Sequence, residues 1–191
     1  MQPRPMRADA RRNYERLIST ARAAFMEHGT GASLDDIARR AGVGSGTLYR
    51  HFPTRDDLLH AVLRERIEGL LAHAAALMRE PDADADAALA GWLRGYLAGA
   101  MTPRGTSTVL IEAMEPRWSA TPLGVAAAAI RDAFGGLLER AQRAGAIRAD
   151  ADAADLLRLT NAIGVAAERT QDPAEYADRM LALLFDGLRT R

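Results

Sequence analysis

An all-α fold is what this sequence predicts, and three observations carry the prediction. Alanine, leucine and arginine, all strong helix formers, dominate the composition, with alanine about a fifth of the chain. Alternating runs of Val, Ile, Thr and aromatic residues are almost absent, so no segment reads as a strand. Apolar residues recur at helical spacing between glycines, prolines and capping side chains, which divide the chain into about nine helices.

The first helix, about 8–28, carries Tyr14, Leu17, Ile18, Ala21 and Phe25 on one face and stops at Gly29. Ser33 caps a short helix over about 34–41, with Asp36 three residues on as a weak form of the capping box. After Gly42-Val43-Gly44, Ser45 opens a second short helix to about His51, closed by Phe52-Pro53. Thr54, followed by Asp56 and Asp57, caps a long helix over about 55–79. Beyond the polar Asp-Ala run, helices are expected at about 84–101, 104–115, 121–144, 150–169 and 173–190. Thr121-Pro122 and Asp172-Pro173 mark two of these starts by placing a cap before a first-turn proline.

Composition excludes several classes. Without cysteine there is no disulfide framework, thiolate zinc site or thiol nucleophile. The N-terminal basic residues are followed by no apolar run, so no secretory signal is expected, and no stretch approaches the roughly 20 apolar residues of a membrane span. A reducing cytosol is the expected location. Neither an HExxH nor a phosphate-loop pattern is present, His28, His51, His60 and His73 form no metal set, and neither an enzyme nor a cofactor is expected.

The formal net charge is zero, which by itself argues against a polyanionic partner. The zero is a sum of opposites. Residues 1–55 hold 10 Arg against 5 acidic residues, a net of +5, and residues 56–191 hold 15 against 20, a net of −5. An anion-binding unit on an acidic body is one reading; a solvated arginine-rich surface is the other.

Residues 33–52, SLDDIARRAGVGSGTLYRHF, decide between them. They read as two short helices joined by a glycine-containing turn, the helix-turn-helix pattern. Leu34, Ile37 and Ala41 form the inner stripe of the first helix, and Ala38 is small where the second must cross. Gly42 supplies the positive φ of the turn, and Val43, Leu48 and Phe52 fill the interior. Left facing outward are Ser45, Gly46, Thr47, Tyr49, Arg50 and His51, whose hydroxyl, guanidinium and imidazole groups suit base edges and phosphates. Gly46 leaves room for close backbone approach. Arg55 and the backbone amides near Ser33 are expected to reach phosphates. For Tyr49 and His51, packing within the protein is the alternative.

The first helix, this helix-turn-helix and its GTLYRHF segment together resemble the DNA-binding domain of the TetR family of bacterial transcriptional regulators, over about residues 10–60. The resemblance implies a homodimer, two helix-turn-helix units on an operator, and a divergent helical C-terminal domain that binds a small inducing ligand. It further implies Thr47, Tyr49 and His51 on DNA, Ser45 and Arg50 varying with the operator, and a basic residue at Arg55. The C-terminal AGAIRADADAADLLRLTNAIG and LLFDGLR segments resemble one subset of the family more loosely.

The domains are expected at 1–55, a three-helix DNA-binding unit, and 56–191, a helical bundle for effector binding and dimerisation. Helices at about 150–169 and 173–190 are apolar on more than one face, which predicts a two-fold four-helix interface through Leu156, Leu159, Ile163, Ala167, Met180 and Leu184. Closure of those faces on the same chain is the alternative. His73, Trp92, Tyr96, Met101, Met114 and Trp118 are the candidate effector-binding residues, suited to a hydrophobic or aromatic small molecule. The functional expectation is a repressor released from a palindromic, double-stranded DNA operator by that effector, with no membrane partner. A helical protein-interaction module is the rival class.

Overall fold

The computed structural model describes residues 5–80, 84–98 and 103–190. Among them are nine α-helices: α1 (Pro5–His28), α2 (Leu34–Arg40), α3 (Ser45–His51), α4 (Arg55–Met78), α5 (Ala85–Leu97), α6 (Thr106–Ala113), α7 (Pro122–Arg143), α8 (Ala153–Ala167) and α9 (Pro173–Leu188). A 3₁₀ turn over Pro116–Trp118, which the sequence pattern does not predict, precedes α7. No helix among the described residues is long and apolar enough to cross a membrane.

Local chemistry sets most of the helix ends. Thr54 and Asp57 form a reciprocal capping box: the Asp57 amide donates to Thr54 Oγ1 at 3.2 Å, and the Thr54 amide donates to Asp57 Oδ2 at 2.9 Å. At α2 the box is only half made. Ser33 Oγ accepts from the Asp36 amide at 3.3 Å, but the Asp36 carboxylate pairs with Arg39 instead of reaching back. Asp152 accepts from the Ala154 and Asp155 amides, so α8 begins at Ala153, three residues later than its apolar pattern suggests. Asp84 caps α5 in the same way, making the Asp-Ala run a helix start.

One buried cluster runs from Leu17 in α1 to Leu188 in α9. Helix α4 carries it between the two ends of the molecule. Its first turns pack on α1 and bury Leu58, Leu59 and Val62, while Leu70 and Ala74 are buried farther along the face it shares with α7. The expected division after residue 55 falls at the first residue of α4. In the bundle, α5 packs on α7, α6 on α8, and α8 on α9. The chain end is tied back: the Arg148 amide donates to Leu188 O at 2.9 Å and the Thr190 amide to Ala146 O at 3.2 Å. Arg189 completes the tie with a 2.8 Å ion pair to Asp86.

Candidate nucleic-acid interface

The turn between α2 and α3 is fixed by backbone bonds. The Gly42 amide donates to Arg39 O and the Val43 amide to Ala38 O, both at 3.0 Å, which is the Schellman closure of a helix C-terminus. It requires the left-handed residue that Gly42 supplies at φ +67°. Inside the turn, Ile37, Ala38 and Leu48 are sealed from solvent, and Phe52 is 3% exposed. These contacts fix which side of α3 faces outward.

That side carries Ser45, Gly46, Tyr49 and Arg50, all exposed, with Thr47 half-buried. A Cβ at Gly46 would meet only open space, so the backbone there can be approached closely from outside. Tyr49 keeps 44% of its surface exposed, so its ring and hydroxyl are open to solvent on this side. His51 is half-buried and lies edge-on to Tyr14 of α1, with ring centroids 5.8 Å apart; Tyr14 in turn stacks on Phe52 at 5.2 Å. Tyr14 therefore buttresses the end of α3 from a helix 37 positions earlier, a contact that nothing in the local pattern announces.

Much of the basic excess of the N-terminal unit is used internally. Arg40 donates to both Glu27 carboxylate oxygens, at 2.8 and 3.0 Å, joining α2 to the end of α1. That hydrogen-bonded pair holds the Glu27 carboxyl below its usual range. Arg11 pairs with Glu15, Arg22 with Glu65 and Arg39 with Asp36. Arg50 has no ion-pair partner among the described residues, which leaves its charge available on the outward face of α3.

Arg55 has partners within the chain that its expected role does not include. Its Nη1 donates to Thr30 O at 2.8 Å and Ala32 O at 2.6 Å, so the guanidinium ties the α1–α2 loop to the start of α4. Two carbonyls left unpaired at a tight loop are a stronger claim on a half-buried cation than solvent is. Ser33 is exposed beside this loop, its hydroxyl occupied by the cap.

Among the described residues, the residues expected around an effector do not line one cavity. His73 is exposed on α4, and Met101 lies outside the described residues. Trp92 is fully buried core: it stacks between Tyr96 and Phe134, and its Nε1 donates to Leu70 O at 3.1 Å. Met114 borders a cleft of about 160 Å³ between α6, α7 and α8 that also reaches Arg131 and Arg158. Trp118 is half-buried, with an Nε1 that is shielded from solvent and has no acceptor. A larger open groove of about 640 Å³ runs between α1 and α4, past Tyr14, Ile18 and Arg22, away from the central helices.

Tyr96 is the candidate with polar chemistry buried around it. Its hydroxyl sits 2.9 Å from Asn161 Nδ2 and 3.2 Å from Asn161 Oδ1, and Asn161 is 1% exposed. Sequence reasoning passed over Asn161, although a lone amide in an apolar helix was the available signal. Arg66 closes the end of α5 by donating to Tyr96 O and to Ala98 O. Burial pushes the Tyr96 phenol up to about 12. The folded protein thus keeps this proton where an unfolded chain, with a phenol near 10, releases it. Stability falls as pH rises from about 10 to about 12, by up to roughly 3 kcal/mol for two units. Alkaline unfolding measured beside a Tyr96→Phe variant tests this, the variant lacking that part of the slope.

The residues expected at a dimer interface divide by exposure. Leu156 and Ala167 are buried within the chain, because their side of α8 faces the protomer's own core. Leu159 is 51% exposed and Leu183 of α9 is 61% exposed, with Ile163, Met180 and Leu184 half-buried beside them. Leu159 on α8 and Leu183 on α9 are therefore the large apolar side chains that these two helices leave most open.

A family model for bacterial regulatory proteins of the tetR family matches residues 17–62, and one for the C-terminal domain of SbtR-like transcriptional regulators matches residues 84–190. The chain belongs to the TetR family. The crystal structure of a TetR transcription regulatory protein from Mycobacterium vanbaalenii is 35% identical, covers 97% of this chain and 100% of that one, and gives a TM-score of 0.51. A TetR transcriptional regulator from Streptomyces coelicolor is 31% identical over 92% of this chain and 97% of its own, with a TM-score of 0.56. An HTH-type transcriptional regulator of Staphylococcus aureus strain USA300 is 38% identical over 69 residues. That match spans 36% of this chain and 37% of the curated relative. TetR-family proteins are DNA-binding transcriptional regulators and not enzymes, and the all-helical chain with its N-terminal helix-turn-helix has the architecture of that family.

Proposed function

We propose that this TetR-family protein is a homodimeric repressor that leaves an inverted-repeat operator when a small hydrophobic or aromatic effector binds its C-terminal body. The observation that carries the reading is the outward face of α3. Leu48 and Phe52 lock the helix inward while Ser45, Thr47, Tyr49 and Arg50 face out, a combination of donors, acceptors and one available charge that suits a major groove. His51 contributes from the edge of that face, held by Tyr14. The amides near Ser33 lie toward the same phosphates, and Arg55 supports them by positioning the loop.

The reader unit corresponds to residues 1–55 and the regulatory and dimerising body to 56–191, with α4 joining them. Two reader units are needed, because one short helix spans few base pairs. Dimerisation through the Leu159 and Leu183 face would set two of them one helical turn of DNA apart, about 34–36 Å. Within the body, the effector would bind among the central helices, with the cleft beside Met114 as the opening available there, and its binding would swing α4. Effector and DNA then oppose each other by equal factors.

Selection of duplexes from a random pool by the full chain tests the reading. An enriched inverted repeat, bound with affinity that falls steeply with salt, is the expected result. Recovery of no sequence and no salt-sensitive binding favours a protein-interaction module instead. Sedimentation adds the second arm: the full chain runs as a dimer, and Leu159→Arg with Leu183→Arg converts it to a monomer, since two buried like charges face each other across a two-fold axis.

A further inference from the structure

We propose that Glu168 is a positioning residue for DNA binding, holding the α1–α2 loop of the reader unit from the C-terminal end of α8 through the loop before α6. The inference rests on the reading of α3 as the DNA-contacting helix and concerns a connection separate from α4.

The chain of contacts is short and made of backbone groups. Both carboxylate oxygens of Glu168, the C-cap residue of α8, accept from the Gly105 amide, at 3.0 and 3.2 Å. Gly105 begins α6 in the left-handed conformation at φ +82°, and a Cβ there would come within 2.7 Å of Thr30 Oγ1, so only glycine permits this approach. The neighbouring Arg104 O accepts from the Thr30 amide at 2.9 Å. The next link runs from the other side of the same residue, since Thr30 O accepts from Arg55 Nη1, which also holds Ala32 O. Ala32 immediately precedes Ser33, the cap of α2.

The loop that starts the helix-turn-helix is therefore gripped twice: by Arg55 at the start of α4 and by the 103–105 loop of the body. Glu168 fixes the second grip. A carboxylate on a lone amide is a charge-assisted bond, and it supplies the acceptor that the first turn of α6 otherwise lacks, because Gly105 has no side chain to cap with. The outward apolar residues of α8, Leu159 and Ile163, stand about two and a half and one and a half turns before Glu168 on the same helix, so a shift of α8 at its partner face carries Glu168 with it.

Amide hydrogen exchange on the full chain tests the relay without a known operator. In Glu168→Ala, the Thr30 amide, which Glu168 does not touch, is expected to exchange about tenfold faster together with that of Gly105, the effect of losing one charge-assisted bond. Amides of the α4 core, such as Val62, keep their protection and report that the fold is intact. Glu168→Gln, which retains an amide oxygen as acceptor, restores most of the Thr30 protection. A duplex selected by the wild-type chain is bound about tenfold more weakly by Glu168→Ala, within the range of ordinary coupling between sites. Loosening confined to Gly105, with Thr30 unchanged, makes Glu168 a local cap and overturns the inference. Thr30 loosening with unchanged affinity for the selected duplex also overturns it as a DNA-binding role. Failure of the wild-type chain to select any duplex sinks the reading of α3, a result distinct from either.

Discussion

The Thr47→Ala/Tyr49→Ala double variant loses roughly 10- to 100-fold in affinity for a selected duplex while its unfolding midpoint stays close to that of the parent. Both side chains lie on the outer side of α3, Tyr49 with 44% of its surface exposed, and neither belongs to the set that seals the turn. Their loss removes hydroxyl groups and an aromatic face but no charge, so the slope of log affinity against log salt is retained. Arg50→Ala behaves differently. It removes the cation on α3 that has no ion-pair partner among the described residues and lowers that slope by about one. The pair of results separates base reading from phosphate attraction; equal affinity of parent and double variant on the selected site would show that α3 does not read it.

The Trp92→Ala variant is the largest expected stability change, a loss of about 3–5 kcal/mol. Trp92 has no exposed surface, lies between the rings of Tyr96 and Phe134 at centroid distances of 5.6 and 5.4 Å, and joins α5 to α4 through Leu70 O. Truncation opens a ring-sized void where three helices meet and leaves two aromatic faces without partners. For a chain of this size the midpoint should fall by roughly 10 °C. Trp92→Phe keeps the stack and loses the indole hydrogen bond, costing about 1 kcal/mol plus the missing volume. A thermal or denaturant titration of both variants checks the order. Near-equal stability of Trp92→Ala and the parent would mean that the site behaves as a pre-formed cavity rather than as packed core.

Trp92 also shows where local pattern stops being informative. A tryptophan among apolar residues is compatible with core and with a ligand wall, and the sequence contains nothing that separates them. The stack on Phe134, 42 positions away, turns it into core. His73 illustrates the same limit from the opposite side: on α4 its neighbours at helical spacing do not fix whether it faces α7 or solvent, and it faces solvent. Leu156 and Leu159 are three residues apart on one helix, yet the first is buried against its own protomer and the second is 51% exposed. Only the direction from which α6 and α9 pack on α8 decides between them.

Arg55 and Glu168 are the clearest cases of chemistry invisible along the chain. A basic residue in the first turn of a helix after a reader motif points to phosphate by analogy, but its partners are carbonyls 25 and 23 positions earlier. Glu168 reads as an ordinary charged helix end, whereas it bonds an amide 63 positions away. Neither distance leaves a periodic trace.

What the sequence by itself determined is everything set by bonds of short range: the nine helices, their caps at Ser33, Thr54, Thr121 and Asp172, the Gly42 turn, and the outward set on α3. Those features depend on amides, side-chain oxygens and apolar stripes within about four residues of one another, which is the reach of helical periodicity. The tertiary structure alone decided which arginines are spent within the protein, which apolar faces remain open, and how the body holds the reader loop. Such outcomes depend on competition among partners from distant segments, and burial makes the winner: a half-buried guanidinium or carboxylate goes to the nearest unpaired backbone group, wherever in the chain that group lies.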